Sequence, residues 1–261
     1  MDTSLRHSFA IQRRVIGALL MREVITRFGR HNIGFLWLFV EPMLFTLGVA
    51  ALWSLMGMGH GHGISFAGFA LTGYSSVLLW RNSANRSTNA IDANLALMHH
   101  RNVRVLDIFI ARAILEIAGT TISFLVLGCI FCALGVMDPP VQMLQVLEGW
   151  LILAWFGTAL AILIGSISGR SHVVEKLWHP ITYLLFPLSG AAFMVDWLPP
   201  PFRDVVWWLP MVHGLEILRG GFFGSAVQAH FDLPYVLAVC LALTLVGLAQ
   251  CRIASRQVTP E

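Results

Sequence analysis

Six apolar runs divide the chain, at 33–57, 64–80, 108–136, 146–167, 180–195 and 235–251. At about 1.5 Å per residue, all but the fifth are long enough to cross a hydrocarbon layer as helices. The fifth is short and is interrupted by Pro187 and Gly190. The pattern predicts an all-α integral membrane protein, with six transmembrane helices forming one transmembrane domain over 33–256. Three segments fall outside the runs: 1–32, 81–107 and 196–234.

Residues 1–32 interleave Arg6, Arg13, Arg14, Arg22, Arg27 and Arg30 with apolar residues. Leu5, Phe9, Ile16 and Leu20 share a helical face on which Arg13 intrudes, as expected of a cytoplasmic helix lying at the membrane interface. The polar stretch 81–107 reads RNSANRSTNAIDANLALMHHRNVRVLD. Within it Ile91, Leu95 and Met98 stand at i, i+4 and i+7, one narrow apolar stripe. Ser87, Thr88 and Asn89 before the stripe are N-cap residues by type. A short amphipathic helix in such a basic loop has two readings, one resting on lipid headgroups and the other docking in a groove of a second protein. In 196–234, Pro199–Pro201 and Pro210 forbid one continuous helix. Val205–Leu209 and Gly214–Phe223 read as short helices that re-enter the outer leaflet, with Trp197, Trp207 and Trp208 suited to an interface belt. Irregular backbone at membrane depth is tolerated where it is buried in protein or lines a cavity.

Composition agrees with this class: 57% of residues are hydrophobic and only 12% charged, well away from a soluble domain. The net charge of +3 is no nucleic-acid footprint, because the arginines gather at membrane boundaries. With both termini inside, nearly all of them fall on the cytoplasmic side, leaving Arg203 and Arg219 as exceptions. That places 81–107 in the cytoplasm.

The chain carries no GxxxxGK[ST], and its one lysine, Lys176, lies in no glycine-rich loop. It therefore cannot cradle nucleotide phosphates in the P-loop manner, and no catalytic set is visible. Cys129 and Cys132 read as small packing residues, and His60 and His62 lack further ligands. Gly165-Ser-Ile-Ser-Gly169 reads as a small-residue contact between helices. Two carboxylates stand deep within apolar runs, away from their ends: Glu41, followed by Pro42, and Glu116, one turn from Arg112. Charges there default to functional hypotheses. Glu41–Pro42 suits a polar kink, and Glu116 suits a structural partner role.

Three runs, RFGRHNIGFLWLFVEPM (27–43), NAIDANLALMHHRNVRVLDIFIARAILE (89–116) and SGAAFMVDWLPPPFRDVVWWLPMVHGLEILRGGFFG (189–224), resemble the permease subunit of type-2 ABC exporters. The nearest branch is the capsular polysaccharide exporters of Gram-negative bacteria. The resemblance implies six transmembrane helices with an N-terminal interface helix, a cytoplasmic coupling helix and short outer re-entrant helices, in the bacterial inner membrane. It implies a homodimer bound to two ABC ATPase subunits. The chain itself would carry no cofactor, with ATP and Mg on the ATPase. The substrate would be a lipid-linked acidic polysaccharide, and periplasmic-facing and outer-membrane polysaccharide proteins would complete the path. Export of O-antigen or teichoic-type polymers, or of small molecules, remains open. Under this resemblance Ile91, Asn94, Leu95, Met98, His99, His100 and Arg101 would meet the ATPase. Arg27 and Arg30 would meet headgroup or sugar acids, and Phe45, Trp53, Tyr183, Phe186 and Phe193 would line the conduit. Two other classes compete: an integral-membrane enzyme of lipid-linked sugar metabolism, which would need clustered Asp or a His–Ser pair, and a passive channel, which would need no coupling helix.

Overall fold

The computed structural model describes residues 5–28, 40, 43–44, 46–48, 51–52, 64–100 and 103–258, with the side chains of Leu5, Arg6, Arg27, Phe28, His99, His100 and Val258 outside the description. Among the described residues there is no strand. The helices are α1 (Leu5–Phe28), α2 (Phe66–Ser87), α3 (Leu95–His100), α4 (Val105–Ala133), α5 (Met143–Ser168), α6 (His172–Leu188), α7 (Pro200–Val206), α8 (Pro210–Phe223) and α9 (Leu233–Val258). The described residues between 40 and 52 are also helical. Among the described residues, three helices are long and apolar enough to cross a membrane: α4, α5 and α9 as far as Gln257.

The hub is α5, which packs on α9, α8, α2, α4 and α6. Lipid tails are as apolar as leucine, so close van der Waals approach rather than hydrophobic transfer holds such helices together. Three glycines spaced eight apart on α5 allow that approach. A Cβ at Gly149 would stand 2.6 Å from the Leu218 amide nitrogen on α8, and one at Gly157 would stand 2.7 Å from Trp80 Cα on α2. At Gly165 a Cβ would collide with the Phe109 ring of α4. The predicted small-residue contact at Gly165–Gly169 is thus present, with Gly169 fitted against Ile91.

Several elements differ from the sequence reading: the first short outer helix, expected at Val205–Leu209, is α7 at Pro200–Val206, and α9 runs past residue 251 to Val258. The second apolar run ends at Trp80, but α2 continues through Ser87, well into the polar stretch. Its hydroxyls close back on their own helix: Ser83 donates to the Leu79 carbonyl at 2.8 Å and Ser87 to that of Ser83 at 2.9 Å. Each buried hydroxyl is satisfied within the helix, so the polar residues do not end it. Ser87 and Thr88 therefore close α2 instead of capping a new helix. The fifth run was expected to start at Pro180 after a polar link. Instead α6 begins at His172 and carries Pro180 and Pro187 inside it.

A Schellman turn stops α4, with Gly135 at φ 67°. Gly135 N–H donates to the Cys132 carbonyl at 3.1 Å and Val136 N–H to that of Phe131 at 3.0 Å. Each of α7 and α8 starts with a proline in its first turn, where a missing N–H costs nothing. The helix α1, expected at the membrane interface, turns Ile16 and Leu20 of the face its pattern suggested inward and leaves Phe9 outside. Leu19 is buried, and Val15, Ile16 and Leu20 pack beside it on Ile108, Phe109 and Cys251, whereas Phe9 is 70% exposed.

Candidate functional site

Two polar assemblies flank α2, one at each end. The first joins α1 to the end of α2, the 3-10 turn Asp92–Asn94 and the first turns of α4. Arg112, buried on α4, holds Glu23 of α1 at 3.0 Å. It also donates to the Arg86 carbonyl at 2.5 Å and to Asn89 Oδ1 at 3.2 Å. Arg86 reaches Glu116 at 3.6 Å. Arg22 donates to Asn94 Oδ1, and Asn94 donates to the Ala90 carbonyl at 2.8 Å. Gln12 donates to Asp107 at 3.0 Å, and Asp107 accepts from the Arg104 amide at 3.2 Å, fixing the start of α4. Between these groups lies a cleft of about 300 Å³ lined by Arg22, Glu23, Thr26, Arg86, Asn89, Ala93, Asn94 and Arg112. Glu116 is thus a buried ion-pair partner, and the cation beside it is Arg86.

The apolar stripe is divided. Ile91 and Met98 are 2% and 4% exposed and belong to the core that receives α1. Leu95 alone is open, at 42%. The stripe does not form one exposed docking face, because Ile91 precedes the helix, at the cap of the 3-10 turn, and Met98 points into the bundle. Asn94 is buried as well. Asp92, Ala93, Leu95 and Ala96 form the exposed surface of this element. Arg101 lies outside the described residues, as do the side chains of His99 and His100.

The aromatics also separate. Tyr183 is 71% exposed. Phe186 packs edge-on against Tyr74 at 6.0 Å and joins the main core. Phe193 packs with Val195, Val206 and Val212 in a small cluster of its own. Tyr183 and Phe186 therefore do not form one free face. Arg30, Glu41, Pro42, Phe45 and Trp53 lie outside the described residues, as does the Arg27 side chain.

The second assembly was not anticipated. Arg219 of α8 is completely buried. It donates to the carbonyls of Gly190, Ala191 and Phe193, each at 2.7 Å. Its guanidinium carbon sits 3.7 Å from the centre of the Phe69 ring, which stacks on Trp197 at 5.2 Å. One turn earlier, Glu216 accepts the Val195 amide at 3.0 Å and the His230 amide at 2.9 Å. His213 Nδ1 accepts the Asp232 amide at 3.0 Å, so its Nε2, 2.8 Å from the Trp207 carbonyl, carries the proton of a neutral ring. Burial keeps the His213 pKa low, against the smaller opposing pulls of the Trp207 carbonyl and Asp232. The helix α8 thus uses one cation, one carboxylate and one imidazole to hold the backbone of the loops around it. The sequence carried a clue: Arg219 is one of two basic residues that the expected orientation leaves outside, three residues from Glu216 in an apolar helix.

Neither assembly is arranged for catalysis. Their acids and bases are engaged with backbone or with each other, and no group of three or more His, Cys, Asp or Glu side chains among the described residues could hold a metal.

Residues 14–223 match the family described as ABC-2 type transporter. The chain is 44% identical to the capsule polysaccharide export inner-membrane protein CtrC of Neisseria meningitidis serogroup B, over 99% of this chain and 98% of that protein. It is 40% identical to the capsule polysaccharide export inner-membrane protein BexB of Haemophilus influenzae, over 100% of this chain and 98% of that one. It is 26% identical to the polysialic acid transport protein KpsM of Escherichia coli, over 95% and 96% of the two chains.

Proposed function

The chain belongs to the ABC-2 type transporter family, and from that premise we propose that it is the permease subunit of an ATP-driven exporter carrying capsular polysaccharide across a bacterial inner membrane. The observation that carries this reading is the end-to-end match at 40–44% identity to proteins named for capsule polysaccharide export. The chain is a transport component and not an enzyme. An ABC ATPase on a separate chain hydrolyses ATP with Mg, and two copies of each subunit form the working unit. The permease crosses the membrane six times with both termini in the cytoplasm. The arginine distribution supports that orientation. The polymer is acidic and lipid-linked, and it passes on to periplasmic-facing and outer-membrane proteins.

In this reading the ATPase presses on the exposed surface around Leu95. A push moves the permease only if the two nucleotide states of the ATPase contact that surface differently. Ile91 and Met98 support the reading, because they join the contact surface to α1 and α4 through one buried cluster. Arg27 and Arg30 meet headgroup or sugar acids at the inner entrance. Phe45, Trp53 and Tyr183 give the sugars flat, weak contacts, whereas Phe186 and Phe193 serve the walls that carry them. The test is complementation. A capsulated strain lacking its own export permease receives this chain with its partner ATPase, and surface polysaccharide is measured. Restored surface polymer is expected. Polymer retained in the cytoplasm, with the permease abundant in the membrane and bound to its ATPase, refutes the reading.

A further inference from the structure

We infer that the seam between α2 and the first half of α6 is a binding site for a sugar acid, a carboxylate with a free hydroxyl beside it on the same ring. The site rests on the export reading and deepens it, since Arg81 becomes the residue that selects acidic sugars. The register of the seam is fixed at both ends. Ser168, four residues before α6, donates to the Thr88 carbonyl just past α2 at 2.6 Å, and Phe186 meets Tyr74 edge-on at 6.0 Å. The two helices are therefore antiparallel. Arg81 and Asn85 follow Tyr74 by seven and eleven residues, which brings both within about 20° of the same helical face. Counting back from Phe186 by the same rise sets Trp178 level with Arg81 and Glu175 level with Asn85.

Three polar atoms at this level are covered and have no hydrogen-bond partner: Arg81 Nε, Asn85 Oδ1 and Trp178 Nε1. Trp178 is 6% exposed, and Arg81 and Asn85 are partly buried. Buried polar groups are normally satisfied, so a set of exceptions at one seam calls for a missing partner. Water would serve the two neutral groups but leaves the guanidinium charge unbalanced, at the end of an apolar run where an unpaired charge is costly. Arg81 forms no ion pair among the described residues. Glu175, the acid nearest in register, is turned to His172 at 3.5 Å. The missing partner is therefore an anion.

The mixture of groups narrows the anion further. Arg81 and Trp178 donate, and Asn85 Oδ1 accepts. One carboxylate balances the single charge and takes both donors, but it leaves Asn85 unmet. A hydroxyl on the neighbouring carbon meets it, and an acidic sugar carries both groups on one ring. Access follows from how loosely α6 is held. Trp178 and Thr182 are its only fully buried residues among those described, and Pro180 lies between them. When the first half of α6 swings away, the three groups are uncovered together, and a ligand that binds the uncovered seam holds it open.

The test uses the full chain purified in a neutral detergent, with its ATPase where the pair co-purifies. Binding of a galacturonic acid hexamer is measured by microscale thermophoresis, with its fully methyl-esterified form and maltohexaose as comparison probes. The ester keeps the hydroxyls and loses the charge. Saturable binding of the acid is expected, about tenfold tighter than either neutral hexamer, the scale of a hydrogen bond to a charged group. Arg81→Gln should abolish that preference, and Arg81→Lys should retain part of it. Trp178→Phe keeps the ring and loses the N–H, and should weaken the acid about fivefold, as for one neutral donor. Asn85→Asp is the decisive variant. One turn from Arg81, it supplies the missing anion from within the chain, so it should abolish the acid preference while raising the melting temperature. Loss of binding by misfolding would lower it. No saturable binding, equal binding of acid and ester, an acid preference that survives Arg81→Gln or Asn85→Asp, or a lowered melting temperature in Asn85→Asp overturns the inference. Surface-polysaccharide export by the unsubstituted chain is scored separately. Export without Arg81-dependent binding refutes the site alone, whereas binding without export refutes the export role.

Discussion

Replacing Arg219 with methionine tests how the connection after α6 is held. Methionine keeps much of the unbranched apolar stem and removes the fork. Three carbonyls, of Gly190, Ala191 and Phe193, lose donors at 2.7 Å, and Phe69 loses the cation over its ring. Hydrogen bonds to a charged group contribute about 1.5–3 kcal/mol each. The three are not additive, since they share one guanidinium and the freed carbonyls belong to one turn. A better bound is the cost of removing one partner from a buried charged set, about 3–5 kcal/mol. For chains of this size that corresponds to a fall in melting temperature of about 6–20 °C. Arg219→Lys should lie between methionine and wild type, because one ammonium cannot face three carbonyls in a plane. The assay is thermal unfolding of the detergent-purified protein, followed by tryptophan fluorescence. A methionine variant that melts with the wild type would refute the reasoning, because water would then have to satisfy those carbonyls.

The proposed coupling surface predicts a split result. Leu95→Asp, on an exposed position, should leave insertion intact and weaken ATPase association in co-purification, whereas Met98→Asp should lower membrane abundance, because it buries a charge in the core that receives α1. Among the aromatics, Tyr183→Ala should slow export at normal abundance, whereas Phe186→Ala should cost about 1–3 kcal/mol of stability through lost core packing. In a cysteine-free background, a cysteine at Gln228 should react with an impermeant thiol reagent from outside, and cysteines at Ala93 and Arg256 only after permeabilisation. The depressed His213 pKa means that its contribution is complete above the unfolded value, about 6.5, and is lost as pH falls through the lower folded value. His213→Asn, which retains an acceptor near the Nδ1 position, should flatten that acid-side loss in a melting series against pH.

The long apolar helices were legible because length and hydropathy specify them: α4, α5 and α9 overlie runs read directly from the chain, although α9 continues past residue 251 through Arg252 and Arg256. The end of α2 was not legible. Arg81–Ser87 has the composition of a loop, but Ser83, Ala84 and Ser87 are buried against the bundle, and the two hydroxyls are satisfied by carbonyls one turn back, so the helix continues. The stripe of Ile91, Leu95 and Met98 shows a different limit. Periodicity finds apolar positions, but it does not say whether a stripe meets the chain's own core or a partner. Here two of the three positions meet the core. Arg219 was visible as an exception to the charge rule and nothing more. Its partners are backbone carbonyls some 26–29 residues away, and a carbonyl has no signature in a sequence.

The distribution of tight and loose packing bears on which helix can move. Displacing α5 would require Gly149 and Gly157 to leave backbone contacts that no side chain can follow. Displacing α6 breaks far less. Its fully buried residues are Trp178 and Thr182, with Leu185 and Phe186 partly packed on the core. Val173, Leu177, Tyr183 and Leu184 are all more than half exposed. Its far end is different, since the turn that follows Leu188 hangs from Arg219 by three carbonyls. Pro180 also removes one hydrogen bond from the middle of the helix, where bending costs least. Elements that move are drawn from the weakly held end of a structure. A force arriving at the Ser171 end of α6 therefore tilts that end and bends the helix near Pro180, while the Arg219 end stays in place as the pivot.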